Sequence, residues 1–138
     1  MKKQKILFIA LNILCLVGCI VSLFYPYLLK LNFPQSFHLP GVIYGYEYSF
    51  ALFSLVLNAI IVVRIIRGNN ILYTLIICAI NLFFIYLIRE SIHFQGFIDH
   101  DYDSKTGLGY LLLFYASIFQ FMMIFGFSLL KMNWRWIS

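Results

Sequence analysis

The sequence predicts an all-α integral membrane protein: an up-down-up-down bundle of four transmembrane helices with both termini in the cytoplasm. Of its 138 residues, 63% are hydrophobic and only 11% are charged. A soluble chain of this length cannot bury that much apolar surface. Four apolar runs are long enough to cross a bilayer, and basic residues lie at their ends.

A chain of 138 residues has the length of one domain, so we expect a single transmembrane domain over residues 1–138. At ~1.5 Å per residue, a helix of about twenty residues spans the ~30 Å hydrocarbon core. Pro26 ends the first helix, and Gly68 with two asparagines forms a short turn between the second and third. The predicted helices cover about residues 6–25, 48–66, 71–88 and 108–130, and external loops cover 26–47 and 89–107.

The distribution of charge predicts the orientation and excludes one class of partner. All five acidic residues lie in the predicted external segments. The positive-inside rule therefore places the basic ends in the cytoplasm and the bundle in a plasma membrane, which the residue usage suggests is bacterial. No basic face with interleaved aromatics remains for a nucleic acid. Seven of the ten Lys and Arg residues lie on the predicted cytoplasmic side: Lys2, Lys3, Lys5, Arg64, Arg67, Lys131 and Arg135.

A second interpretation of the N-terminus stays open. A basic start followed by an apolar run also fits a cleaved secretory signal. Leu16-Val17-Gly18-Cys19 resembles a bacterial lipobox, in which case residues 1–18 are removed and Cys19 carries the lipid. Because residues 20–25 remain apolar beyond the cysteine, we expect a retained first helix.

Each predicted helix contains one carboxamide, and the four form a predicted intramembrane polar layer: Asn12, Asn58, Asn81 and Gln120. Asn58 and Asn81 are equidistant from the turn, so we expect them to pair and to fix the register of the two helices. Each amide lies on a stripe of small and polar residues, typical of helix interfaces in lipid. The steps alternate between three and four residues, which is 3.5 residues per turn and the seam of a left-handed bundle. The predicted stripes are Asn12, Cys15, Cys19 and Ser22 in the first helix; Ala51, Ser54, Asn58, Ile61 and Ile65 in the second; Ile71, Thr74, Cys78, Asn81 and Ile85 in the third; and Gly109, Leu113, Ala116, Gln120 and Met123 in the fourth.

Two features are predicted at the outer interface. Tyrosines crowd both ends of the first external loop, where an aromatic belt is the simplest interpretation and a ligand-binding cage the alternative. Glu47 and Arg89 lie at matching levels on neighbouring helices and form a predicted interfacial ion pair. The tyrosines are Tyr25, Tyr27, Tyr44, Tyr46 and Tyr48.

The second external loop is the most polar stretch and a weak candidate for a metal site. Asp99, Asp101 and Asp103 alternate as in the start of a calcium loop, and His100 lies between them. Ser104 then stands where glycine is required and Tyr110 where the bidentate glutamate belongs. We therefore expect a solvated acidic loop, no metal centre and no cofactor.

The sequence contains no recognised catalytic motif, and no carboxylate lies within a predicted helix. We therefore expect a non-enzymatic protein that binds another membrane protein or a membrane-active toxin, as an accessory subunit or an immunity-type protein. The alternative is an oligomeric pore or small-solute transporter subunit with an amide-lined path. An enzyme using the acidic loop is a third class.

Overall fold

The computed structural model describes residues 2–31, 42–98 and 103–137. Its helices are α1 (Lys2–Ser22), α2 (Ser49–Arg67), α3 (Ile71–Ile98) and α4 (Leu108–Ile137). Each contains a stretch that is long and apolar enough to cross a membrane, as the sequence predicted. Four such helices in a chain of this size are the architecture of a membrane-embedded protein.

Four helix boundaries differ from the predicted ones by three residues or more, and the first is the start of α1, at Lys2 instead of residue 6. α1 ends at Ser22 instead of residue 25, because the chain turns before Pro26 and then continues as a strand. α3 continues to Ile98 and α4 to Ile137, well beyond the predicted ends at 88 and 130. Charged residues at those points limit the apolar span, but they do not interrupt helical hydrogen bonding.

The helices form a closed ring. α1 packs against α2 and α4, and α3 packs against the same two helices. Phe8 of α1 stacks on Phe127 of α4 with ring centroids 4.5 Å apart. We call the end of the ring with the α2–α3 connection the turn end, and the opposite end the sheet end.

The turn end is defined by residues suited to stopping one helix and starting another. Gly68 adopts a left-handed conformation with φ 70°, and its N–H donates to the carbonyl of Ile65 at 3.1 Å. Asn70 then caps α3, because its Oδ1 accepts the N–H of Leu72 at 3.0 Å. The end of α2 and the start of α3 therefore each have a hydrogen-bond partner for a backbone group that the helix itself leaves unpaired.

A small antiparallel sheet covers the opposite end. β1 (Pro26–Leu31) lies between β2 (Val42–Tyr44) and β3 (Asp103–Thr106). The two segments predicted as external loops are therefore joined through β1. The pairing of these short strands was not predicted. The alternation of Tyr44, Tyr46 and Tyr48 also fits a short extended segment, but only Tyr44 lies in a strand, at the end of β2.

The buried stripe of α1 is confirmed: its buried residues are Asn12, Cys15, Cys19 and Ser22. In α4 the prediction was partly wrong. Ala116 and Met123 are only half-buried, and the neighbouring Ser117 and Ile124 take the interior positions. The buried face of α4 advances by more than the assumed 3.5 residues per turn, so a strict seven-residue pattern drifts off it.

The predicted tyrosine belt divides into buried and exposed members. Tyr27 is fully buried, and its ring lies 5.9 Å from that of Tyr48 and 6.2 Å from that of Tyr110. Tyr25, Tyr44 and Tyr46 remain exposed. β1 folds back over the helix ends, which turns Tyr27 inwards although its spacing suits an interfacial residue.

The Tyr27 hydroxyl is tied to the end of α1. Ser22 Oγ donates its single proton to the carbonyl of Cys19 at 2.6 Å. The 3.0 Å contact between Tyr27 Oη and Ser22 Oγ therefore has Tyr27 as its donor. Burial raises the pKa of Tyr27 to about 12 and, with the nearby charge of Glu47, that of Tyr48 also to about 12.

These raised pKa values predict a loss of stability in strong alkali. The unfolded chain ionises its tyrosines at about pH 10, whereas Tyr27 in the folded protein keeps its proton up to about pH 12. Its contribution is complete below about pH 10 and is lost as the pH rises through the folded pKa. We expect the free energy of unfolding, measured by denaturant titration in detergent at stepped pH, to fall less steeply above about pH 10 for Tyr27→Phe than for wild type. Tyr46→Phe, at an exposed ring, is the control, and equal slopes for wild type and Tyr27→Phe would contradict the assignment.

Candidate functional site

The four predicted amides all lie inside the helix ring. Asn12, Asn58, Asn81 and Gln120 are each no more than 2% exposed. Their hydrogen bonds differ greatly, however, so they do not act as one equivalent layer.

Asn81 is the centre of a hydrogen-bonded chain across the ring. Ser54 of α2 donates to its Oδ1 at 2.5 Å, and its Nδ2 donates to Ser117 of α4 at 3.5 Å. Ser117 Oγ in turn lies 4.0 Å from the sulfur of Cys19 in α1. One polar chain therefore connects all four helices, and two serines carry it in place of the other amides.

Asn58 and Asn81 do not hydrogen-bond to each other, contrary to the expected pair. Asn58 instead donates its Nδ2 to the carbonyl of Ser54 at 3.0 Å, within its own helix. Asn12 does the same to Phe8 at 2.8 Å. The distance from the turn places two residues at one level, but it does not determine how their side chains rotate about the helix axes.

Three buried polar atoms of these amides have no hydrogen-bond partner: Asn12 Oδ1, Asn58 Oδ1 and Gln120 Nε2. The orientations of the two asparagines are fixed, because a backbone carbonyl can only accept and so must face the Nδ2 group. Two acceptors and one donor therefore remain available in the interior. An unpaired buried polar group is costly, so each of these atoms is suited to water or a polar solute.

The three cysteines are free and buried. Cys15 and Cys19 share the interior face of α1, and Cys78 lies on that of α3. They act as small interior side chains that allow close helix contact.

The first arginine of the basic turn has a structural role. Arg64 donates from Nε to Thr74 Oγ1 at 3.3 Å and from Nη2 to the carbonyl of Asn70 at 3.5 Å. Arg67, one helical turn further, is exposed. The guanidinium of Arg64 thus joins α2 to the first turn of α3 and holds a positive charge at the turn end.

Glu47 and Arg89, the predicted interfacial pair, lie on the sheet-end side and are both exposed. Glu47 Oε2 accepts the backbone N–H of Tyr44 at 2.7 Å, which closes the short 3₁₀ turn Gly45–Glu47. No ion pair joins Glu47 to Arg89 among the described side chains. The Glu47 carboxylate bonds within its own turn because the backbone N–H of Tyr44 lies within hydrogen-bond distance of it there.

The weak metal candidates fall largely on residues that the structure does not describe. Asp99, His100 and Asp101 lie outside the described residues, and Asp103 is described only by its backbone position in β3. Within residues 2–31, 42–98 and 103–137, no group of three His, Cys, Asp or Glu side chains is arranged to hold a metal ion.

Three exposed aromatic rings form a patch at the sheet end, which we call the aromatic platform: Phe24, Tyr44 and Tyr46. Tyr44 and Tyr46 stack with centroids 5.6 Å apart and planes only 4° from parallel. Phe24 lies 6.5 Å from Tyr46 and is 68% exposed. The rings project from a backbone that is itself anchored.

The anchoring of the platform comes from the turn that follows α1. The N–H of Gly45 donates to Tyr25 O at 3.3 Å, and that of Tyr46 donates to Leu23 O at 3.1 Å. Gly45 is required there because a Cβ would meet the ring of Tyr27 and, at 2.8 Å, the Cα of Leu23. The sequence indicated exposed tyrosines here, but it gave no sign of this rigid support.

A cavity of about 1000 Å³ opens at the turn end. It lies between the first half of α1, the α2–α3 turn and the second half of α4. Its walls are mainly apolar, and two lysines, Lys2 and Lys5, line it. No pattern in the sequence predicts this cavity, because its walls come from three segments far apart in the chain.

Comparison with protein-family models, with curated proteins and with solved structures found no match.

Proposed function

We propose that this chain is a multi-pass membrane protein without a catalytic site that acts by binding another protein. Its partner is either a membrane complex, to which it is an accessory subunit, or a membrane-active toxin that it neutralises. The aromatic platform is the observation that carries this proposal. Exposed, preorganised aromatic side chains lose little conformational entropy on binding and dominate the energetics of protein interfaces.

The proposed setting is a bacterial plasma membrane, with the helices running up-down-up-down and both termini in the cytoplasm. The positive turn end supports this orientation through the positive-inside rule. Contacts across the ring support the alternation of direction: Arg64 pairs with Thr74 near the turn, and Ser54 pairs with Asn81 further from it. The α1–α4 contacts follow the same order, with Phe8 on Phe127 and Cys19 beside Ser117. The platform then faces the outer surface.

The test is site-specific photo-crosslinking in native membranes. A crosslinking amino acid at Tyr46 is expected to capture one heterologous protein in stoichiometric yield. Tyr86 on α3 is the matched control, since this residue is 53% exposed against 51% for Tyr46. The double variant Tyr44→Ala, Tyr46→Ala is expected to reduce copurification of that protein about tenfold or more. Equal capture from Tyr46 and Tyr86, or full copurification with the double variant, would contradict the proposal.

The unpaired amide atoms favour one alternative: an oligomeric pore or small-solute transporter subunit with an amide-lined path. Asn12 Oδ1, Asn58 Oδ1 and Gln120 Nε2 would be its polar lining. Purified protein in liposomes would then pass ions or a small solute, and Asn58→Leu would change that flux. Protein-free liposomes and the Asn58→Leu variant together separate this activity from leakage. Partner capture at Tyr46 without flux supports the binding protein.

A further inference from the structure

The cavity at the turn end has apolar walls. Phe8 and Phe127 stack at 15° and close the contact between α1 and α4 along one side. Leu7 and Met122 line the cavity and are each at least 60% exposed, so it also opens towards the bilayer. Apolar cavities hold water poorly, and this one lies at the upper end of the range of about 300–1,000 Å³ that is usual for small-molecule sites. Its shape and lining suit a hydrocarbon chain.

The mouth of the cavity carries positive charge. Lys2 and Lys5 line it, and Arg64 donates to Thr74, which is also a lining residue. Among the described side chains, the only two acids, Glu47 and Glu90, belong to the sheet-end side of the molecule. Among the side chains that the structure describes, the cations at the turn end therefore have no carboxylate beside them. Their charge complements an anionic group.

The position of the cavity joins these two properties. It lies where the apolar spans of α1 and α4 reach their charged flanks, at the depth where acyl chains meet headgroups. We propose that the cavity binds one anionic phospholipid, with an acyl chain between the apolar walls and the headgroup phosphate on Lys2 and Lys5. This site is independent of the aromatic platform and of any protein partner.

The test is lipid retention by the full chain in neutral detergent, measured by native mass spectrometry and by thermal stability. Titration with phosphatidylglycerol is expected to give one retained lipid per chain and a higher melting temperature. Phosphatidylcholine and inorganic phosphate are expected to do neither. Equal retention of phosphatidylcholine would overturn the selectivity for an anionic head. Stabilisation by phosphate alone would identify a free-anion site and overturn the lipid assignment.

Two single charge variants make the test specific. Lys5→Gln is expected to weaken phosphatidylglycerol binding about fivefold, since one basic residue near a lipid surface contributes about 1 kcal/mol. Lys3→Gln removes the same charge from the same turn of α1, but Lys3 does not line the cavity. Equal weakening by both variants would show a diffuse surface effect and overturn the site.

Filling the cavity provides a test of its volume. Gly126 lines it, and a Cβ there would have no atom within 4 Å, so the backbone tolerates a side chain. Gly126→Phe is expected to abolish lipid retention. Gly126→Leu adds a smaller side chain and is expected to reduce retention, and it serves as the test variant if Gly126→Phe does not fold. Retention unchanged in a folded Gly126→Leu protein would overturn the proposal. The double variant Tyr44→Ala, Tyr46→Ala is expected to retain the lipid normally, so failure of either proposal is distinguishable from failure of the other.

Discussion

Gly109→Ala is expected to destabilise the protein much more than the same substitution at Gly126, the other glycine of α4. A Cβ at Gly109 would lie 2.6 Å from Tyr25 O, 2.7 Å from Ser22 O and 2.8 Å from Tyr27 Cδ1. Two of these atoms belong to the backbone, and the third belongs to a fully buried ring. None can move without displacing β1 or the end of α1. Overpacking of this kind costs about 1–3 kcal/mol, and we expect the upper part of that range.

The measurement is the melting temperature in detergent, which is expected to fall by roughly 10 °C. Gly126→Ala is the matched control, because Gly126 lies in the same helix and a Cβ there would meet no atom within 4 Å. That variant is expected to keep or slightly raise the melting temperature, since alanine favours helix over glycine by up to about 1 kcal/mol. Equal melting temperatures for the two variants would show that α4 does not approach β1 as closely as the structure places it.

The close approach at Gly109 marks the limit of what the sequence predicts. Hydropathy predicts four spans because burial in lipid depends on local composition alone. Contact between the start of α4 and the end of α1 depends instead on residues about ninety positions apart in sequence. The same reasoning explains the unpredicted sheet and the burial of Tyr27. The local sequence around a tyrosine at a span boundary is the same whether its side chain faces lipid or the core, so it does not predict the orientation.

The interior amides show the same division between depth and orientation. The sequence predicted one carboxamide side chain per helix at similar depths in the bundle, and all four are buried. The actual partners of Asn81 are Ser54 and Ser117. Ser54 lies on α2, one helical turn from Asn58, and Ser117 adjoins Ala116, the residue that a seven-residue period selects. The drift of the buried face of α4 thus decides which side chain completes the network.

This asymmetry predicts opposite outcomes for two superficially equivalent substitutions. Asn81→Leu is expected to lower the free energy of unfolding by about 1–2 kcal/mol, because it removes two interhelical hydrogen bonds and leaves Ser54 and Ser117 without their partner. Asn58→Leu removes only a bond within its own helix and an unpaired buried acceptor. It is therefore expected to be neutral or stabilising.

The comparison is sharp because the same replacement is made at two buried amides in adjacent helices. Reversible denaturation in mixed micelles measures both variants under one condition. A double-mutant cycle of Ser54→Ala with Asn81→Leu then isolates the hydrogen bond between these two side chains. A coupling energy of about 0.6 kcal/mol or more, in the range measured for interhelical bonds in membranes, is expected for this pair. The matching cycle with Asn58→Leu is expected to show less, because Asn58 bonds to the Ser54 carbonyl, which alanine retains. If instead Asn58→Leu costs as much stability as Asn81→Leu, the unpaired oxygen of Asn58 has a partner in the folded protein, and an interior water or solute is the group to look for.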